Sequence, residues 1–299
     1  MNKVRPAVHA LAAHQKGILG QRIGIAIVDT GLTTHPDYRS RIIGWYDALY
    51  GKPEPYDDNG HGSHVAGIAA GDGSLSRGAF QGIAPQADLI GVKVLNHKGN
   101  GTIHDIMKGL QWILKNQERL RIRIVNISIG TNDQSSYPED CSFVRKVNQL
   151  WDAGIVVIAA AGNQGPGPHT ISAPGNSRKI ITVGSYDRDM RNKQEKPSHS
   201  GTGPTFSCIK KPDVVAPGSH IVSCCPPSKG NGFYYSTKSG TSMSTPIVSG
   251  AVALLLCQYP SMSPREVKIR LKNSSTDLSL PHTRQGWGYL NIPSLLSTF

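Results

Sequence analysis

The stretch GTSMSTP, Gly240 to Pro246, runs directly into IVSGAVALLLCQ, and no charged residue follows until Arg265. An apolar run of that length reads as a helix buried on most sides, not as an amphipathic surface helix. Ser242 lies at its opening, behind Gly240 and Thr241, so its hydroxyl is expected at a helix N-terminus. Free backbone N–H groups and the positive end of the helix dipole converge there and favour an oxygen that gains negative charge. Pro246 is expected in the first turn, where a missing N–H costs little. Taken alone, Ser242 reads as an ordinary helix cap.

Two other stretches change that reading. An unactivated serine is a poor nucleophile at neutral pH and needs a base, and the base needs a group to orient it. IGIAIVDTG contains Asp29 and DDNGHGSHVAG contains His61, each beside glycines at the edge of a regular element. Ile23 to Val28 is a β-branched run that the following Thr-Gly turns, so Asp29 is expected at the C-terminal end of a strand. Asp57 and Asp58 compete for the orienting role but lie in a polar loop with no strand behind them. His64, three residues after His61 on the same small-residue helix, is expected to be packed or hydrogen-bonded nearby.

The rest of the chain alternates strand and helix. Leu89 to Leu95, Ile122 to Ile127, Ile155 to Ala159, Ile180 to Gly184 and Val214 to Ala216 are buried-type strands. Between them, Ile103, Ile106, Met107, Leu110, Ile113 and Leu114 keep helical spacing behind a Thr102–Asp105 cap, and a further helix spans about Phe143 to Ala153. Ser263, Pro264 and Glu266 open the final helix as cap, first-position proline and capping-box partner. This pattern implies an α/β fold with a mainly parallel central sheet covered by helices.

Four strings, VDTG (Val28–Gly31), GHGSHVAG (Gly60–Gly67), AAGN (Ala160–Asn163) and GTSMSTP (Gly240–Pro246), occur in the order Asp, His, Ser. On them the chain resembles the subtilisin family of serine peptidases (subtilases), in character the bacterial intracellular type, from about Ile18 to the C-terminal helix. The resemblance implies a three-layer fold, one peptidase domain over residues 1–299 with an N-terminal extension at 1–20, and a catalytic triad of Asp29, His61 and Ser242. It implies that Asn163 binds the oxyanion and that Gly99, Asn100, Gly101 and Ser128, Ile129, Gly130 flank a bound peptide. Ala160, Ala161 and Gly162, with the segment Ser172 to Gly175, would line the pocket for the side chain before the cut bond. They contain no acidic residue that would select a basic side chain. Two departures stand out: Ser63 replaces the family's usual Thr and keeps the hydroxyl, and Ile247 stands where many relatives have His.

Composition narrows the remaining choices. The 299 residues hold no linker that would divide them, and the Pro/Gly/Ser-rich pieces Gly162 to Gly175 and Pro226 to Gly232 read as surface loops. The net charge of +12 comes from scattered basic residues, such as Arg119, Arg121 and Arg123 or Arg188, Arg191 and Lys193, with no basic run. A nucleic-acid partner is therefore not expected. No stretch approaches the roughly 18 apolar residues of a membrane span. His9, His14, Gln15 and Lys16 interrupt the N-terminal segment, so a signal peptide is not expected. The five cysteines, Cys141, Cys208, Cys224, Cys225 and Cys257, are odd in number and irregular in spacing, which fits a reducing compartment, and a cytoplasmic location is expected. Cys257 reads as a small core residue. No cofactor is expected for catalysis. Calcium is the family's common structural ion, but Gly71 to Gly82 carries only Asp72 as a carboxylate, too few hard oxygen ligands to support that site, and calcium elsewhere stays open.

The expected partner is a polypeptide substrate, and the expected activity is hydrolysis of its peptide bonds through an acyl-enzyme. A processing peptidase dedicated to one precursor and an inactive binding scaffold on the same fold are the alternatives.

Overall fold

Gly24–Asp29 forms strand β1 with every residue buried. A run that is buried throughout, and apolar up to its final Asp29, has no solvent-facing side, so it belongs in the middle of a sheet covered on both faces. The computed structural model describes residues 1–130, 138–187, 199–227 and 234–297. The expected loop from Pro226 to Gly232 is described only through residue 227, and Arg188, Arg191 and Lys193 lie outside the described residues.

Six further strands, β2 (Ile42–Asp47), β3 (Asp88–Lys93), β4 (Ile122–Ile127), β5 (Val156–Ala160), β6 (Ile181–Ser185) and β7 (Val214–Ala216), complete the sheet. They lie in the order β2-β3-β1-β4-β5-β6-β7. Every pairing is parallel. From β1 the chain goes out to the edge strand β2 and returns to β3 beside β1, then crosses to the other side and winds outward through β4 to β7. The order therefore reverses at β1, and in open α/β sheets the crevice beyond the strand ends at such a reversal is where ligands bind. Asp29 is the last residue of β1.

Helices fill both faces. The helices in chain order are α1 (Val4–Ala7), α2 (Leu11–His14), α3 (His61–Ala70), α4 (Ile103–Asn116), α5 (Ser142–Asp152), α6 (Thr241–Gln258), α7 (Pro264–Ser274), α8 (His282–Gln285) and α9 (Ile292–Leu296). Side chains of α1, α2, α3, α6, α7 and α9 share one core. Those of α4 and α5 share the other with the opposite sheet face. An antiparallel hairpin of β8 (Ile221–Cys224) and β9 (Tyr235–Lys238) leans on α3 and leads into α6.

The two helices with an expected cap open as the sequence indicates. Thr102 accepts from the Asp105 N–H, and Ser263 and Glu266 form a reciprocal capping box. Contrary to the expectation that no stretch approaches a membrane span, α6 is long and apolar enough to cross a membrane by length and composition, yet 83% of it is buried inside the protein, the burial of a core helix. The helix begins at Thr241, so Pro246 is not in its first turn as expected but one turn further in. Proline there has no N–H for the carbonyl four residues back, which is that of Ser242. Packing against α3 and the sheet holds the helix through this gap. Cys257 is half-buried, not enclosed in the core.

The N-terminal extension is packed against the body. Met1, Val4, Val8, Ala10 and Ala13 are buried, and Ile292 N–H donates to the Val8 carbonyl. Arg5 donates to Gln81 Oε1 (2.7 Å) and the Gly78 carbonyl (2.6 Å), tying the extension to the Gly71 to Gly82 loop.

Candidate active site

Asp29 is fully buried at the end of β1. Its Oδ1 accepts from Thr30 N–H (2.7 Å), and both oxygens face His61 Nδ1, at 2.7 and 2.9 Å. The contact requires the first turn of α3 to sit on the turn after β1. Gly62 permits it: a Cβ there would lie 2.2 Å from the Gly31 carbonyl oxygen, so any larger residue would push the helix away.

Asp57 fixes the entry of that helix. Gly60, the residue before α3, offers no capping side chain, and its φ of 91° is one that glycine adopts without strain. Asp57 supplies the missing acceptors from outside the helix. Its Oδ1 accepts from Gly60 N–H (2.8 Å) and Asn59 N–H (3.1 Å), and its Oδ2 accepts from Ser63 N–H (2.9 Å) and Ser63 Oγ (2.7 Å). Thr30 Oγ1 donates to Asp57 and accepts from Gly62 N–H, both at 2.9 Å, which locks the strand end to the helix start. Asp57 therefore positions the helix and does not face the imidazole. The Ser63 hydroxyl also accepts from Thr33 N–H, which gives a physical reason for a hydroxyl at this position.

Asp58 pairs with Lys93, a buried ammonium at the end of β3 that lies directly across from Asp29 in the sheet. Sequence reasoning did not find Lys93, because a lysine at a strand end ordinarily reads as solvated.

Burial lowers the pKa of His61, but the charge and hydrogen bond of Asp29 outweigh it and leave the ring above the ordinary histidine value. His64, one turn on, is fully buried, and its Nε2 lies 3.0 Å from the Ile221 carbonyl and 3.1 Å from that of Ser236. Burial brings its pKa down to about 3, so it is a neutral packing residue that anchors α3 to the hairpin.

Ser242 is the second residue of α6, and its hydroxyl donates to the Ser128 carbonyl at 2.8 Å. Ser128 in turn is steadied by Asn126, whose amide donates to Ser128 Oγ (2.8 Å) and accepts from Ser249 Oγ of α6 (2.8 Å). Asn126 was missed in the sequence; an Asn inside the apolar run Ile122–Ile127 is the signal that could have found it.

The Asn163 carboxamide oxygen accepts from Thr241 N–H (3.0 Å) and Thr241 Oγ1 (3.2 Å). With the oxygen so held, the amide nitrogen lies close to Gly240, just before α6. Ser172 N–H donates to the Ala161 carbonyl (2.9 Å). A Cβ on Gly162 would fall 2.1 Å from Ser172 Oγ, and one on Gly130 3.0 Å from Ser172 Cβ. Segments 128–130, 160–162 and 172 therefore meet. Gly99, Asn100 and Gly101 stand on the turn that follows β3, where Asn96 N–H donates to the Asn100 carbonyl. The two segments expected to flank a peptide thus extend from β3 and β4, the neighbours of β1.

A family model described as the subtilase family matches residues 20–288. The chain belongs to the subtilases. It is 43% identical over 287 residues to serine protease AprX of Bacillus subtilis, covering 90% of this chain and 65% of that relative. It is 37% identical over 272 residues to subtilisin Savinase of Lederbergia lenta, covering 91% of this chain and 90% of that one. The crystal structure of a cold-adapted subtilisin-like serine proteinase superposes with a TM-score of 0.74 at 27% identity, over 91% of this chain and 89% of the other. This subtilase thus spans nearly all of Savinase and just under two thirds of AprX.

Proposed function

We propose that this subtilase is a serine endopeptidase in which Asp29, His61 and Ser242 act as one unit. The observation that carries the proposal is the imidazole of His61 held on both oxygens of a buried aspartate at a rim that also presents a serine at the start of a helix. In the proposed relay the Ser242 hydroxyl, which donates to the Ser128 carbonyl in this structure, donates instead to His61 Nε2. Catalytic hydrogen bonds are often loose until substrate arrives.

In the reaction, His61 takes the proton from Ser242 as its oxygen attacks the peptide carbonyl, and Asp29 stabilises the imidazolium that forms. The Asn163 amide and the Ser242 backbone N–H at the positive end of α6 bind the oxyanion. His61 then returns the proton to the leaving amine, and water hydrolyses the acyl-enzyme. Side chains and water suffice for these steps.

An extended polypeptide adds a strand between Gly99–Gly101 and Ser128–Gly130, recognised largely through its backbone. The side chain before the cut bond enters between Ala160–Gly162 and Ser172. No disulfide joins any of the five cysteines, which supports residence in a reducing compartment such as the cytoplasm.

A fluorophosphonate probe, which reacts only with an activated serine, is expected to label one residue, Ser242. Ser242→Ala should abolish labelling and lower turnover by about a millionfold, the scale known for the same serine in subtilisin. Labelling elsewhere, or normal cleavage by Ser242→Ala, would reject the assignment.

A further inference from the structure

Beyond the rim, His35 and Asp37 stand on the segment that follows β1, and Cys224 ends β8. All three are buried, at 1%, 0% and 0% relative exposure. A ring nitrogen of His35, a carboxylate oxygen of Asp37 and Cys224 Sγ lie within 4.8 Å of one another. Nδ1 is 4.0 Å from Asp37 Oδ1, and Sγ is 3.6 Å from Asp37 Oδ2.

Hydrogen bonds set the imidazole for ligation. His35 Nε2 lies 2.9 Å from the Tyr234 carbonyl oxygen, which can only accept, so Nε2 carries the hydrogen and Nδ1 the lone pair. An outer hydrogen bond of this kind is the usual support of a metal-binding histidine. The lone pair now meets the Asp37 N–H at 3.1 Å, a contact that a metal bond would replace.

Asp37 supplies a second, independent indication. Its carboxylate accepts from Tyr235 OH (2.8 Å), Leu75 N–H (3.0 Å) and Ser74 Oγ (3.4 Å); among the described residues this neutral ring is its one ion-pair neighbour within 4.0 Å, and the charge of Arg41, whose guanidinium donates to the Asp37 main-chain carbonyl (2.6 Å), acts on it from further off. Buried charges are ordinarily paired with an opposite charge or coordinate a metal.

We propose that His35, Asp37 and Cys224 form a binding site for a borderline-soft divalent cation of the zinc type. The donor set of one imidazole, one carboxylate and one thiolate suits such an ion and not calcium or magnesium, which take oxygen ligands. Metal–ligand bonds of about 2.0–2.3 Å place tetrahedral ligands roughly 3.3–3.8 Å apart. The Asp37 contacts are already near that spacing, and the longest separation must close by about 1 Å. On binding, the Cys224 S–H bond is replaced by a sulfur–metal bond and the proton leaves to solvent. A dication with one carboxylate and one thiolate then sums to zero charge, which suits a buried site. The occupied site would join the segment after β1 to the hairpin whose Ile221 and Ser236 carbonyls hold His64. It would therefore brace the helix that carries His61 from behind.

The test uses the full-length chain carrying Ser242→Ala to prevent self-digestion, stripped with chelator and titrated with Cd2+ while thiolate-to-metal charge-transfer absorption is recorded. Thermal unfolding with and without Zn2+ is measured in parallel. One tight equivalent per chain and a raised unfolding midpoint are expected. Cys224→Ser and His35→Gln should each weaken Cd2+ binding by more than about tenfold, while Cys225→Ser, which removes the adjacent thiol, retains it. Absence of tight binding, its survival in Cys224→Ser, or its loss in Cys225→Ser would overturn the proposal. If Cys224→Ser does not fold by circular dichroism, His35→Gln decides the matter by the same criterion.

Discussion

Asp29 with His61 and Asp37 with His35 are two aspartate–histidine pairs, one at the end of β1 and the other in the segment that follows it. At the rim the ring touches its carboxylate at 2.7 Å and keeps a quarter of its side chain open to solvent. Asp29 raises that pKa more than burial lowers it. In the interior the ring is closed off and stands 4.0 Å from its carboxylate, and burial lowers its pKa more than Asp37 raises it. The same two residue types thus give a partly open ring whose charged form is favoured in one place and an enclosed neutral ring in the other. Hydrogen-bond distance and access to water make the difference, because desolvation penalises the charged imidazolium unless a close anion compensates.

The comparison can be broken most directly at Asp29. Asp29→Asn keeps the shape but removes the charge that orients and stabilises the imidazolium, and kcat should fall by about ten-thousandfold. A fall of less than tenfold would mean that the rim pair is no more than structural. Next in size is Asn163→Ala, expected to lower kcat by about a hundred- to a thousandfold with little change in KM, the range known for this group in subtilisin. An effect confined to KM would remove Asn163 from the oxyanion site.

The pH profile sharpens the contrast further. In the proposed relay His61 must be neutral to accept the serine proton, and since its pKa is raised, activity should climb with pH through a midpoint above the ordinary histidine value of about 6.5. In Asp29→Asn both raising effects of Asp29 are lost, while burial and the charge of Lys238 still lower the His61 pKa against a smaller raising effect of Asp57, so the residual activity should titrate at lower pH than in the parent. A midpoint unchanged by Asp29→Asn would separate His61 from the acid limb. The smallest effect belongs to the interior pair and is read by stability. Asp37→Asn disturbs buried hydrogen bonds and should cost about 1–3 kcal/mol of unfolding free energy in chelator, seen as a lowered denaturant midpoint. An unchanged midpoint would show that those bonds contribute nothing to the fold.

Much of this architecture could be read in advance where the signal is local. β4 and β7 match the expected bounds, and the other expected strands agree to within two residues, because near-continuous apolar runs have few alternatives to the middle of a parallel sheet. The caps at Thr102 and Ser263 were legible because a helix start is satisfied by residues three apart. β2 escaped notice because it lies at the sheet edge and mixes Gly44 and Trp45 into a half-buried run. β8 and β9 are four residues each, too short for periodicity to register. Pro246 was misplaced because the first turn is the ordinary site for proline, and only packing on several sides carries α6 past it.

What the chain determined by itself is the set of reactive groups and the kind of element each occupies: Asp29 ending a strand, His61 and Ser242 opening helices. Those follow from apolar periodicity and from glycines placed within a few residues of each group. Which groups meet was decided only by tertiary structure. Asp57 became the organiser of α3, Lys93 was buried against Asp58, and Cys224 was brought beside Asp37 across 187 positions. Such pairings depend on which strand lies next to which and how far each is buried, and that information is spread over the whole sheet.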